Sequence, residues 1–76
     1  MIDRIIEILE EIKEDVDYTM EDQLVDSGIF DSFDIVALVS ELKNEFDVEI
    51  GIEDITPENF NSAEAVCNMI ERLQDE

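Results

Sequence analysis

The sequence predicts an all-α fold, a small bundle of three main helices with a short fourth helix. Three segments of the 76-residue chain repeat apolar residues at helical spacing, and no segment reads convincingly as a strand. One cysteine and no histidine leave no internal disulfide and no Cys/His zinc cluster to stabilise the chain. Helix packing must therefore stabilise a single domain over residues 1–76.

The first helix is expected over residues 2–15, with acidic residues on its polar face. Its apolar face consists of Ile2, Ile5, Ile6, Leu9, Ile12 and Val16. From Asp17 to Asp31 the helical period fades and Ser27-Gly28 supplies a break, which predicts a long loop. The loop is expected to pack back on the bundle through Tyr18, Met20, Leu24, Val25, Ile29 and Phe30.

The second helix is predicted to begin sharply after Asp31 and to cover residues 32–47. At 100° per residue, its apolar stripe consists of Ile35, Leu38, Val39, Leu42 and Phe46. Phe33 and Val36 fall outside this stripe, on the flank that carries Ser32. These two apolar residues therefore lie where the core does not need them.

A short turn of helix is predicted over Ile52–Ile55, stopped before Pro57. The last helix is expected to be capped by Asn61 or Ser62, with Glu64 three residues after Asn61 as in a capping box. Its inward face is predicted to consist of Ala63, Val66, Cys67, Ile70 and Leu73, with Met69 at the edge.

The charge balance restricts the partners of this chain. Twenty-three acidic residues against four basic ones give a net charge of −19 and an isoelectric point near 4.1. Such a surface repels nucleic acids and anionic membranes and attracts proteins with basic patches. No targeting segment and no apolar run long enough to span a bilayer is visible. We expect a monomeric cytoplasmic protein that binds neither nucleic acid nor membrane.

Autonomous catalysis and a specific metal site are not predicted. Without histidine, the commonest general base is missing, and a carboxylate among so many others does not indicate a catalytic pair. Cys67 falls among helical core positions and is expected to be a small buried hydrophobe. A calcium loop starting at Asp15 would place Met20 where the tight turn requires glycine.

Ser32 is the serine whose position suggests chemistry, because it stands at the junction of the long loop and the second helix. Unpaired amides and the positive end of the helix dipole would favour a phosphate there. The alternative is that Ser32 or Asp31 only caps the helix.

The segment Asp31–Val39 resembles the attachment motif of acyl carrier proteins, an Asp-Ser-Leu signature with Phe33 in the third place. The resemblance continues through Glu41-Leu42 and Glu45–Ile50, and upstream it includes Leu24–Phe30. Length, acidity and helix order match as well, so the resemblance covers nearly the whole chain and implies an acyl-carrier-like bundle.

In such proteins a phosphopantetheinyl transferase, using coenzyme A and magnesium, attaches 4′-phosphopantetheine to the motif serine, here Ser32 beside Asp31. The resemblance implies that the thiol of this arm carries acyl groups as thioesters between enzymes of fatty-acid or related biosynthesis. It also implies that loading and transferring enzymes contact Phe33, Asp34, Val36 and Glu41, with basic patches of these enzymes meeting the acidic residues.

Two alternatives remain open from the sequence. Phe33 and the segment Ile55–Ser62 look closer to D-alanyl carrier proteins, which carry an amino acid, although Asp34 stands where those carriers usually have glycine. The other alternative is an acidic protein-interaction module that is not a carrier, in which Ser32 is only a helix cap.

Overall fold

The computed structural model describes residues 1–75 and confirms the all-α bundle, with no strand in that range. The helices are α1 (Ile2–Ile12), α2 (Ser32–Phe46), α3 (Pro57–Phe60) and α4 (Ala63–Gln74), with a 3₁₀ turn over Ile52–Asp54. The predicted turn before Pro57 is therefore this 3₁₀ turn. Pro57 then begins α3 at the first helical position. A backbone N–H at this position has no acceptor within the helix, so the N–H that proline lacks costs no hydrogen bond.

Helix α1 ends at Ile12, three residues before the predicted end at residue 15. Lys13 adopts an extended conformation with φ −146°, and the chain turns away from the helix axis. The hydroxyl of Tyr18 lies 2.5 Å from the carbonyl oxygen of Lys13 and 3.2 Å from that of Leu9. A side chain from the following loop thus contacts the carbonyls of Leu9 and of the capping residue Lys13 at the point where the helix ends.

One hydrophobic cluster joins the elements, with α1 packed against both α2 and α4 and α3 packed against α4. The helical residues in it that are fully buried are Ile5, Ile8, Leu9, Leu38, Leu42, Phe60, Val66, Met69 and Ile70. Met69 is therefore a core residue and not the edge residue that the sequence predicted. Ile2, placed on the inward face of α1 by its spacing, is 36% exposed because it opens the helix.

Cys67 is half-buried, so the expectation of a buried core residue is wrong. Its Sγ lies 3.9 Å from Met1 Sδ and 3.9 Å from Glu71 Oε1, at the rim of the α4 face. Partial burial, followed by the charge of Glu71, raises the pKa of this thiol, which keeps it protonated and unreactive at neutral pH.

The long loop from residue 13 to residue 31 packs on the bundle as predicted, with one exception. Tyr18, Leu24 and Phe30 are buried, and the rings of Tyr18 and Phe30 meet edge to face with centroids 6.2 Å apart. Met20 is 78% exposed and does not contribute to the core. Gly28 has φ +83°, which confirms the predicted break at this position.

Ser62 caps α4, since its Oγ accepts a hydrogen bond of 3.0 Å from the amide of Ala65. The alternative cap at Asn61, with its capping box to Glu64, is wrong. The side chain of Asn61 instead accepts from the amides of Val25 and Asp26 at 2.9 and 3.1 Å and donates to the Asp26 carboxylate. Asn61 therefore fastens the middle of the long loop to the α3–α4 junction.

Candidate functional site at the start of α2

Asp31 is the residue that caps α2. Its Oδ1 accepts from the amide of Asp34 at 3.0 Å, and Asp34 Oδ2 accepts in return from the amide of Asp31 at 3.2 Å. This reciprocal pair is a capping box. Ser32 takes no part in it and stands exposed as the first residue of the helix. Its hydroxyl is therefore not required by the fold.

The start of α2 also offers donors for a phosphate on Ser32. The capping box uses the amides of Asp31 and Asp34, whereas the amides of Ser32 and Phe33 have no acceptor within residues 1–75. Free amides and the positive end of the helix dipole are the features that favour a phosphate at a helix N-terminus. The residues present thus fit a phosphodiester at Ser32, although the chain as a whole is strongly acidic.

Lys13 moderates the acidity beside Ser32. Its Nζ lies 3.1 Å from Asp34 Oδ2 and donates to the carbonyl oxygen of Ile29 at 2.6 Å. Partial burial would raise the pKa of Asp34, but the amide of Asp31 and the ammonium of Lys13 outweigh it, so the pKa lies below its ordinary value. Asp34 is therefore ionised at neutral pH and bonded within the chain.

An apolar groove of about 460 Å³ opens beside Ser32, and a smaller recess of about 90 Å³ continues from it toward α3. The groove is lined by Val25, Phe30, Asp31, Ser32, Ile35, Val36 and Ile55. Three of these residues, Val25, Ile35 and Ile55, also line the recess. A flexible arm on Ser32 would therefore have apolar surface next to it.

The predicted contact residues differ in their accessibility. Phe33 and Val36 are 86% and 67% exposed, and Glu41 is exposed on the same helix. The side chain of Asp34 is only 20% exposed and is held by Lys13. All four lie on α2; Phe33, Asp34 and Val36 are within four residues of Ser32, whereas Glu41 is nine residues further along the helix. Their contact with partner enzymes stays a prediction.

Two features of this region were not predicted from the sequence. Ile52 is 86% exposed and Ile55 39% exposed, which extends the apolar surface beyond α2 toward the 3₁₀ turn. A three-residue turn is too short to show a period, so spacing could not mark Ile52 as a surface residue. Lys13 was missed because its partners Ile29 and Asp34 are distant in sequence; only the scarcity of basic residues could have singled it out.

Neither a cluster of metal-binding side chains nor a membrane-spanning helix is found in the part of the chain that the structure describes. Among residues 1–75, no three His, Cys, Asp or Glu side chains are grouped so as to hold a metal ion. No helix in the same range is long and apolar enough to cross a membrane.

Comparison with known families agrees with this geometry. The family model described as "Phosphopantetheine attachment site" matches residues 3–70, which includes Ser32 and all of α2. The chain belongs to this family of phosphopantetheine-binding carrier proteins. A carrier of this family is not an enzyme, and it holds 4′-phosphopantetheine covalently on a serine. The cofactor and the carrier role predicted from the motif are thereby confirmed.

Three individual relatives of this chain are D-alanyl carrier proteins. The D-alanyl carrier protein of Streptococcus sanguinis is 33% identical over 72 residues, which cover 93% of this chain and 91% of the relative. The D-alanyl carrier proteins of Streptococcus gordonii and Streptococcus thermophilus are 32% and 31% identical over the same length. These comparisons favour the aminoacyl alternative over the fatty-acid assignment that the motif first suggested.

Proposed function

We propose that this carrier holds an amino acid, with D-alanine as the first candidate, as a thioester on a phosphopantetheine arm attached to Ser32. The choice of cargo is supported by three relatives named as D-alanyl carrier proteins that share nearly the full length of the chain. Phe33, in the third place of the attachment motif, supports it as well.

Ser32 is proposed as the attachment residue because its side chain takes no part in capping the helix. Asp31 supplies the cap, so Ser32 keeps an exposed hydroxyl at a helix start where unpaired amides favour a phosphate. In the transfer, Ser32 Oγ forms a bond to the phosphorus that carries the pantetheine arm. The P–O bond between that phosphorus and the other half of the diphosphate of coenzyme A breaks, and adenosine 3′,5′-bisphosphate leaves. The hydroxyl proton leaves to a base of the transferase.

Partner enzymes are proposed to approach over the exposed side of α2. Phe33 and Val36 offer apolar contact beside Ser32, and the net charge of −19 would attract enzymes with basic patches. Such steering mainly raises the encounter rate, which suits a carrier that must also leave each enzyme quickly. The single domain over residues 1–76, the monomeric state and the cytoplasmic location stay predictions.

The attachment site is tested by intact mass after incubation with coenzyme A, magnesium and a promiscuous phosphopantetheinyl transferase. The native chain should gain one phosphopantetheine, and Ser32→Ala should gain none. Ser40→Ala is the matched control, because Ser40 is also an exposed serine on α2 and should not affect the gain. A folded native sample that stays unmodified would favour the acidic interaction module instead.

The cargo is tested on the modified protein by offering it two loading systems in parallel. A D-alanine-activating ligase with ATP should form a thioester that hydroxylamine cleaves. An acyl carrier protein synthetase with a fatty acid should form little thioester. Fatty-acyl loading without D-alanyl loading would return the assignment to fatty-acid biosynthesis and overturn the proposed cargo.

A further inference from the structure

Lys13 joins the two segments of chain that flank Ser32. Its Nζ donates to the carbonyl oxygen of Ile29, three residues before Ser32, and pairs with Asp34, two residues after it. The distances are 2.6 and 3.1 Å. One ammonium group therefore fixes both the end of the long loop and the first turn of α2.

The two partners of Lys13 are themselves held in place. Asp34 Oδ2, the oxygen that faces Lys13, is also the oxygen that accepts from the amide of Asp31. The backbone of Lys13 is anchored in turn, because its carbonyl oxygen accepts from the buried Tyr18 hydroxyl. A connected path of hydrogen bonds thus runs from the core through Lys13 and Asp34 to Asp31, the residue that precedes Ser32.

We propose that Lys13 is a positioning residue for the modification of Ser32, acting by holding the Ile29–Asp34 segment in the conformation that a transferase must recognise. The inference rests on the proposed function, in which Ser32 is the attachment residue. Without Lys13, Asp34 loses its counter-charge and the loop end loses its bond. The segment then spends only part of its time in the competent conformation, and kcat/KM falls in proportion to that fraction.

The chain offers a matched control in a second ion pair between the same two helical regions. Arg4 Nη2 lies 3.0 Å from Glu45 Oε1, and both side chains are about as exposed as Lys13, at 41% and 38% against 39%. Glu45 is eleven residues beyond Asp34 in α2, or about 16 Å along the helix. Arg4→Met therefore removes one positive charge, one α1–α2 contact and a 3.6 Å pair with Glu7 within α1, without touching the start of α2.

The test compares rates of phosphopantetheine transfer for the native chain, Lys13→Met and Arg4→Met at a temperature where circular dichroism shows all three folded. We expect Lys13→Met to lower kcat/KM about three- to tenfold, because the Lys13 side chain is partly exposed and water replaces part of what each of its two bonds contributes. Arg4→Met should stay within about twofold of the native rate. Lys13→Arg, which keeps the charge, should recover most of the loss.

Two further measurements separate positioning from a general loss of stability. Asp34→Asn keeps an oxygen for the Asp31 amide but removes the ion pair, so adding it to Lys13→Met should not further accelerate amide exchange at Asp31. Amide exchange at Asp31 should accelerate in Lys13→Met and stay unchanged in Arg4→Met, because the acceptor Asp34 Oδ2 is released in the first variant alone.

The opposite outcomes are distinct. If the native chain is modified and Lys13→Met is modified equally fast, the positioning role is wrong while the proposed function stands. If Lys13→Met is modified faster, Asp34 contacts the transferase directly and Lys13 only competes for it, which also overturns the inference. If the native chain is not modified at all, the proposed function itself fails.

Discussion

Replacing Asn61 by alanine should destabilise the bundle more than replacing an ordinary exposed asparagine would. The Asn61 side chain accepts from the amides of Val25 and Asp26, 36 and 35 residues earlier in the chain, and donates to the Asp26 carboxylate. Alanine removes all three bonds. The backbone bond from Leu24 N to the carbonyl oxygen of Asn61, 2.9 Å long, is unaffected by the substitution.

The magnitude follows from where each bond lies. The bond to the Val25 amide is partly buried, so that donor loses its partner without full access to water, at about 1–2 kcal/mol. The two bonds to Asp26 are exposed and together contribute about 0.5–1 kcal/mol, since water replaces them. A loss of about 2 kcal/mol in the free energy of unfolding corresponds to a fall of about 8–16 °C in Tm for a domain of this size.

The assay is thermal and urea unfolding followed by circular dichroism, with Asn68→Ala as the matched control. Asn68 is an exposed asparagine on α4, where alanine is a better helix former, so its Tm should change little or rise slightly. Equal Tm values for the two variants would refute the view that Asn61 fastens the long loop. A large change in the urea m-value would show instead that the compactness of the unfolded or the folded state, or the two-state character of unfolding, had changed.

Two further predictions concern pH and salt. Burial, followed by the charges of Glu10 and Asp34, raises the pKa of Tyr18 to about 12, so the phenolate absorbance of the folded protein should appear near that pH. An unfolded tyrosine ionises near pH 10 and then binds fewer protons than the folded one, so stability should fall from about pH 10 to 12. Tyr18→Phe should lessen this fall, and a phenolate signal near pH 10 in folded protein would contradict the burial. Raising sodium chloride from about 0.01 to 1 M shortens the screening length from about 30 to 3 Å and should raise Tm, because 23 acids face only four bases. An unchanged or lower Tm would show that repulsion does not limit stability.

Much of the candidate site could be predicted from the sequence because the signals that define it are local. The start of α2 after Asp31 follows from a loop that breaks at Gly28 and a helical period that begins at once. The exposure of Phe33 and Val36 follows from the 100° rotation per residue, which places them off the core stripe. Both inferences need only neighbours within one or two helical turns.

The cargo could not be predicted from local sequence signals in the same way. Phe33 looks closer to D-alanyl carrier proteins, whereas Asp34 stands where those carriers usually have glycine. The similarity to D-alanyl carrier proteins over nearly the full length of the chain is what favours the aminoacyl cargo. In the proposed attachment, Ser32 would make the same bond to the arm whichever cargo the arm holds. The bond to the arm therefore gives no information about the cargo.

The sequence by itself determined the helical bundle, the position of Ser32 at a helix start and the acidic surface. Only the tertiary structure decided which residue caps each helix, where α1 ends, and how the chain around Ser32 is held. Tyr18 bonds to the carbonyl oxygen of Lys13 at the end of α1, Asn61 fastens the long loop, and Lys13 bonds to Ile29, sixteen residues away. A polar side chain can bond to any backbone group that the fold brings within about 3 Å, and periodicity describes only the spacing of apolar residues along one helix.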